Sequence, residues 1–204
     1  MGRILVLAGV NGAGKSSLLG TWLEAEGLGW FNPDSFTRRL VEAGWPLPDA
    51  NAEAWQEGTR RLRQAMADGT DFAFETTLGG NTIPGLLREA CEQHHVAVWF
   101  CGLASVELHI ARVAARVAAG GHDIPVEKIH ARFDSARENL LDLLPHLAEL
   151  HVYDNSAPAD ADDQASSGED VAHRVPHRRR LQHRTEVQGL VADDVHGTGA
   201  SDDL

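Results

Sequence analysis

Lysine is nearly absent from this chain: Lys15 and Lys128 are the only two, against sixteen arginines (18 Lys+Arg less those two), while Asp+Glu number 30 and the formal net charge is −12. That balance excludes a general electrostatic pull toward nucleic acid or anionic lipid, so an anionic substrate must be held by a local site. Cysteine is equally scarce. Cys91 and Cys101, each in or beside an apolar run, read as buried reduced thiols rather than a structural disulfide. No apolar run approaches the roughly 18 residues of a membrane span, and the N-terminus lacks a basic, long-hydrophobic leader. A cytoplasmic protein is expected. Eleven histidines are present, but none has ligand spacing; His94-His95, His109 and His122 read as structural or solvent-facing, and H-E-x-x-H, C-x-x-C and G-x-S-x-G are all missing.

What the chain does have is a 204-residue length and 43% hydrophobic content, enough for one sizeable core with length to spare. The apolar run Ile4-Leu5-Val6-Leu7-Ala8 leads into Gly9-Val10-Asn11-Gly12-Ala13-Gly14-Lys15-Ser16. This fits G-x-x-x-x-G-K-[ST], the phosphate-binding loop. Its glycines let the backbone close around an anion, the N–H groups point inward, and the following helix adds its positive end. Gly9, Asn11, Gly12, Ala13, Gly14, Lys15, Ser16 and Ser17 are the candidate nucleotide-binding residues. Lys15 would reach the β- and γ-phosphates of ATP or GTP, and Ser16 would hold Mg²⁺.

The remaining pattern alternates strands and helices. Arg3–Ala8 reads as a buried strand, and Lys15 to Glu26 as a helix with Leu18, Leu19, Trp22 and Leu23 on one face. A short second strand is expected at Leu28–Phe31 and a helix from Ser35 to Ala43. Gly44-Trp45-Pro46-Leu47-Pro48 is a break, followed by a helix from Ala50 to Ala67. Phe72-Ala73-Phe74 forms a third strand, and Thr82 caps a helix running to Gln93 with an early proline at Pro84. Val96–Leu103 is the fourth strand, Ser105 caps the next helix, and Gly120-Gly121 stops it. Val126–Leu144 is a long helix and Leu150–Tyr153 a fifth, edge-like strand. With no hairpin signals, the expectation is a phosphate-loop NTPase fold of the α/β class: a five-stranded parallel sheet with helices on both faces and its binding crevice at the carboxyl ends of the strands. Beyond Asn155 the chain has no aromatic residue and no periodicity, an acidic stretch at Asp160–Asp163 and a basic one at Arg178–Arg180. The expected organisation is a catalytic domain over 1–156 and a disordered, acidic tail over 157–204.

Position within this fold nominates the chemistry. Asp34, at the end of the second strand, could orient an acceptor hydroxyl toward the γ-phosphate, or it could simply cap the helix at Ser35; a helix N-terminus lowers a carboxylate's pKa, which a loose phosphoryl-transfer transition state tolerates. Glu75 closes a strand and could hold the Mg²⁺ shell through water or bind substrate hydroxyls, the plain alternative being a strand-end carboxylate in solvent. Thr76 and Thr77 offer hydroxyls for sugar or phosphate, or serve as strand-end residues. Arg112 and Arg116 share a helix face beside Gly120-Gly121, as a closing lid would need, and Arg132 lies one helix further on; solvated helix arginines are the alternative.

The ordered set Leu7 to Ser16, Asn32-Pro33-Asp34, Phe74-Glu75-Thr76-Thr77 and Arg112 to Pro125, with Gly120-Gly121-His122-Asp123-Ile124-Pro125, resembles the zeta toxin family of kinases. These phosphate-loop enzymes include bacterial toxins that phosphorylate UDP-N-acetylglucosamine. The resemblance runs from about residue 1 to 156. It implies an ATP- or GTP-dependent, Mg²⁺-using kinase in which Lys15, Asp34 and Glu75 match position by position. Arg116 and Arg132 are favoured as the catalytic arginines and Arg112 for substrate binding. A small-molecule substrate and an antitoxin protein are the implied partners. Val106 stands where similar sequences tend to have proline. Two further readings are a nucleotide-binding regulatory module with weak ATPase activity and, disfavoured by the acidic balance, a polynucleotide kinase.

Overall fold

The computed structural model describes residues 1–157 with the exception of 21, 22, 24–28 and 122. Within them β1 (Arg3–Ala8) is the central strand, flanked by β2 (Phe72–Thr76) and β3 (His95–Gly102), with β4 (Glu149–Asp154) outside β3. All three pairings are parallel, in the order β2-β1-β3-β4. The register runs Val6 opposite Phe74 on one side and Val98 on the other, and Phe100 opposite Val152. Among the described residues five α-helices connect and cover the strands: α1 (Pro33–Glu42), α2 (Leu47–Asp68), α3 (Thr82–Ala90), α4 (Val106–Ala118) and α5 (Val126–Leu143). The phosphate-loop segment continues into one π-type turn, Ser16–Gly20.

The continuous apolar character of β1 follows from burial on both faces. Ile4, Val6 and Ala8 join Val96, Val98, Phe74 and Val152 in the larger core, against Leu62 of α2, Leu87 of α3, Val113 of α4 and Leu140 of α5. Leu7 faces the other way, into a smaller cluster with Ala13, Leu23, Cys101 and Tyr153. Leu62, Leu87 and Leu140 are wholly buried, so truncating any one to alanine should cost about 2–5 kcal/mol.

The sheet has four strands rather than five. The expected strand ending at Phe31 survives as a single bridge, in which Phe31 N–H donates to the Ala73 carbonyl (2.8 Å) and Phe31 O accepts from Glu75 N–H (2.9 Å). Pairing stops there because Asn32 is already the N-cap of α1, and Pro33 has no N–H to offer a ladder. Asn32 also displaces Asp34 from the capping role: its Oδ1 accepts from Ser35 N at 3.0 Å, with Pro33 and Asp34 in the first turn. Other differences are smaller. α2 begins at Leu47 rather than Ala50, α3 is preceded by Asn81 as its N-cap residue and ends at Ala90, and Cys91 is half-buried rather than buried. Ser105 does cap α4, accepting from Leu108 N, and Gly120 follows it with φ +87°. The expected helix from Lys15 to Glu26 lies partly, and the tail from 158 onward wholly, outside the described residues. Among the described residues no helix is long and apolar enough to cross a membrane, and no three or more His, Cys, Asp and Glu side chains cluster as a metal site.

Candidate active site

The loop between β1 and Ser16 rests against three elements, each of which requires a glycine. Gly9 has φ +138°, and a Cβ there would lie 2.1 Å from the Cys101 carbonyl oxygen at the end of β3. Gly14 has φ +86°, and its Cβ would come within 2.5 Å of Asn155 Nδ2. These close approaches let the surroundings hold the loop through its own carbonyls: Cys101 Sγ and Asn155 Nδ2 both donate to Ala13 O, at 3.1 and 2.8 Å. α4 supplies the third support, where His109 Nδ1 sits 2.9 Å from Asn11 O. A carbonyl only accepts, so Nδ1 carries the proton. His109 is buried and packs edge-on to Phe133. Burial, abetted by the positive charges of Arg137, Lys15 and Arg112, lowers its pKa from 6.5 to about 4, against the Asn11 hydrogen bond that raises it.

Lys15 is buried, with Nζ 3.4 Å from the Val10 carbonyl and 3.4 Å from Glu75 Oε1. Glu75, the last residue but one of β2, stands opposite Leu7 in the register, near the end of β1 where the loop begins. Its other oxygen accepts from Ser16 Oγ at 2.9 Å and from Asn32 Nδ2 at 3.2 Å. One carboxylate thus gathers the loop lysine, the loop serine and the cap of α1. The cap in turn sets Asp34 one residue beyond Pro33.

These groups border a cavity of about 400 Å³. Asn11, Lys15, Asp34, Glu75, Thr76 and Thr77 are among the residues that line it. Thr76 Oγ1 accepts from Leu78 N, and Leu78 carries φ 58°, a left-handed backbone that a leucine rarely adopts. Asn139 Nδ2 donates to Leu78 O at 2.7 Å and helps hold this turn at the cavity's edge. α2 contributes Asn51, Trp55 and Thr59 to the cavity; α5 and the residues before it contribute Asp123, Ile124, Lys128 and Arg132.

The three arginines separate. Arg132 lines the cavity and donates from NH1 to Asn11 Oδ1 at 2.7 Å; burial lowers its guanidinium pKa, opposed by the charge of Asp34. Arg112 is turned toward the end of the sheet, donating to Asn155 O (2.7 Å) and Ala157 O (3.3 Å), behind the loop. Arg116 lies alongside Gly121, where a Cβ would come 2.6 Å from its Cγ. Neither Arg112 nor Arg116 borders the cavity.

Several residues of the site were not singled out by sequence. Asn32 carried a usable signal, an asparagine directly before a helix-starting proline. His109, Asn51, Trp55 and Lys128 carried none, because each acquires its position from packing between distant segments.

The donor set fits a nucleotide with its metal. Serine hydroxyl and carboxylate are hard oxygen donors suited to Mg²⁺, and they meet 2.9 Å apart beside a buried lysine on a glycine-rich turn.

A family described as "AAA domain" matches residues 4–140. An uncharacterized protein of Haemophilus influenzae is 27% identical over 132 residues, which cover 64% of this chain and 92% of that protein. A candidate kinase from Chloroflexus aurantiacus is 17% identical with a TM-score of 0.51, covering 64% of this chain and 78% of the other. A structure of the PezAT chromosomal toxin–antitoxin system of Streptococcus pneumoniae is 15% identical, also with a TM-score of 0.51, over 94% and 83%. At such identities the two structures share the fold, an α/β phosphate-loop kinase-like arrangement. With its match running from β1 into α5, the chain belongs to the AAA domain family.

Proposed function

We propose that this protein is a small-molecule kinase that transfers the γ-phosphate of ATP or GTP to a hydroxyl of an acceptor bound in the cavity beside Asp34. The observation that carries this reading is the placement of the phosphate loop, Glu75 and Asp34 around one cavity of about 400 Å³, a size suited to a small acceptor rather than to a bare water. A loop that only bound and slowly hydrolysed nucleotide would need no such room opposite the γ-phosphate.

In this reading the loop N–H groups and Lys15 hold the β- and γ-phosphates. Ser16 and Glu75 are the residues that would hold Mg²⁺, which supplies charge neutralisation on the phosphates when it arrives with the nucleotide. Asp34 orients the acceptor hydroxyl and takes its proton late, as the acceptor O–Pγ bond forms and the bond from Pγ to the β,γ-bridging oxygen breaks, releasing the nucleoside diphosphate. Arg132, held beside the loop by Asn11, is the arginine best placed to meet charge on the transferring group. Arg116 is retained as a catalytic candidate and Arg112 as a substrate-binding one only if their segment moves on binding. Thr76 and Thr77 offer hydroxyls to the acceptor.

The family resemblance makes a nucleotide-sugar such as UDP-N-acetylglucosamine the first acceptor to try and an antitoxin the first protein partner to seek; the likeness of fold to the PezAT toxin–antitoxin structure supports the second as a starting point. The kinase unit is assigned to residues 1–156, with 157–204 an appended segment. The test is nucleotide consumption and product formation with a panel of UDP-sugars, comparing wild type with Lys15→Ala and Asp34→Asn. Both substitutions should abolish turnover. Turnover unchanged in either would overturn its role, and tight nucleotide binding without transfer to any acceptor would favour the regulatory-module reading.

A further inference from the structure

Two of the three cations that line the cavity have protein partners, Lys15 in Glu75 and Arg132 in Asn11. The third does not. Lys128, one turn before Arg132 on α5, lines the same cavity, is exposed, and its ammonium makes no hydrogen bond or ion pair among the described residues. In a chain with two lysines and a net charge of −12, one lysine serves the loop and the other stands in this cavity. On a different wall, Trp55 of α2 also lines the cavity yet keeps 53% of its surface exposed. Asn51 and Thr59 lie one turn to either side of Trp55 and line the cavity too, but they are engaged within the protein: Asn51 Oδ1 accepts from Thr37 Oγ1 and Thr59 Oγ1 donates to the Trp55 carbonyl.

An exposed tryptophan at a cavity rim is costly to leave in water and suited to a flat or apolar ligand face; an unpaired cation in a cavity is suited to an anion. Asp123, on the α5 side of the same cavity, can accept hydrogen bonds from hydroxyls, and its charge opposes that of an anion held at Lys128.

We infer that the acceptor is a hydroxylated anion, its phosphate or carboxylate held by Lys128 and its flat or apolar face laid on Trp55. This rests on the kinase reading only in naming the ligand as the acceptor. Lys128 and Trp55 are then specificity-determining residues, neither of which touches the transferring phosphate.

The test is calorimetric binding to the full chain with matched probes: glucose against glucose 6-phosphate and gluconate for the anion, uridine against uridine 5′-monophosphate for the flat face. Wild type should prefer anionic over neutral members by about tenfold or more, the value of one charge-assisted contact. Lys128→Ala should erase that preference and Lys128→Arg should restore it, and the phosphate and carboxylate arms show which anion is preferred. Trp55→Ala should weaken uridine and uridine 5′-monophosphate alike, with recovery in Trp55→Phe. Equal binding of neutral and charged probes, an effect of Lys128→Ala confined to ATP affinity, or no probe binding at millimolar concentration would each overturn the inference. Because binding is read without turnover, the expected pattern with no phosphate transferred would instead overturn the kinase reading and leave the anion site standing.

Discussion

Lys15 Nζ lies 3.4 Å from Glu75 Oε1, an ion pair between a phosphate-loop residue and a strand-end residue whose side chains are 6% and 10% exposed. In the proposed function nucleotide phosphates compete with this carboxylate for Lys15.

Removing that carboxylate has a signature beyond lost activity. Glu75→Gln leaves the Lys15 charge buried without its partner, and should destabilise the protein by on the order of 3 kcal/mol. Nucleotide phosphates would replace the missing anion, so ATP should raise the melting temperature of Glu75→Gln by more than that of wild type. Differential scanning fluorimetry with and without ATP checks this; equal shifts in the two proteins would argue against the pairing.

Asn32 joins two tasks that substitution can separate. Asn32→Ala loses the cap of α1, about 1 kcal/mol of stability, and also the hydrogen bond to Glu75. Asn32→Asp keeps a capping oxygen but sets a second carboxylate against Glu75. Urea denaturation should therefore find Asn32→Asp closer to wild type than Asn32→Ala in the cap's contribution, while both lose turnover. Recovery of turnover in Asn32→Asp would show that the contact with Glu75 is dispensable.

His109 links the loop to pH. Its folded pKa, about 4, lies below the ordinary 6.5, so between these values the unfolded chain binds the proton that the folded one refuses. The stability associated with the neutral ring is complete above pH 6.5 and is lost as pH falls through about 4, a loss on the order of 3 kcal/mol. Melts across this range should show the decline in wild type and a flatter profile in His109→Gln, which offers an amide donor to Asn11 but cannot titrate. Parallel profiles would remove His109 as the source.

The order of elements was legible because burial on both sheet faces writes β1 and β3 as unbroken apolar runs, and because the loop glycines admit so few alternatives. Lys15 and Glu75 are legible from the ends of the first and third expected strands. Asp34 is expected at the end of a second strand that does not form: Leu28–Phe31 is apolar enough for a strand, yet Asn32-Pro33 opens a helix at once, leaves room for one bridge and puts Asp34 in the first turn of α1. The arginines carry the least signal in sequence. Arg112 and Arg116 share a helical face in sequence, but α4 turns Arg112 toward the Asn155 carbonyl, and only packing of α5 against the loop brings Arg132 to Asn11. Trp55 and Lys128, 73 positions apart by numbering, meet one cavity solely through tertiary structure.

The most direct measurement of the central claim is mass spectrometry of a bacterial metabolite extract incubated with ATP, Mg²⁺ and either wild-type protein or Asp34→Asn. The account predicts that one class of hydroxylated metabolite gains a single phosphate with wild type and not with Asp34→Asn, while both proteins bind ATP. Hydrolysis of ATP with no metabolite phosphorylated, or the same product from both proteins, would contradict it.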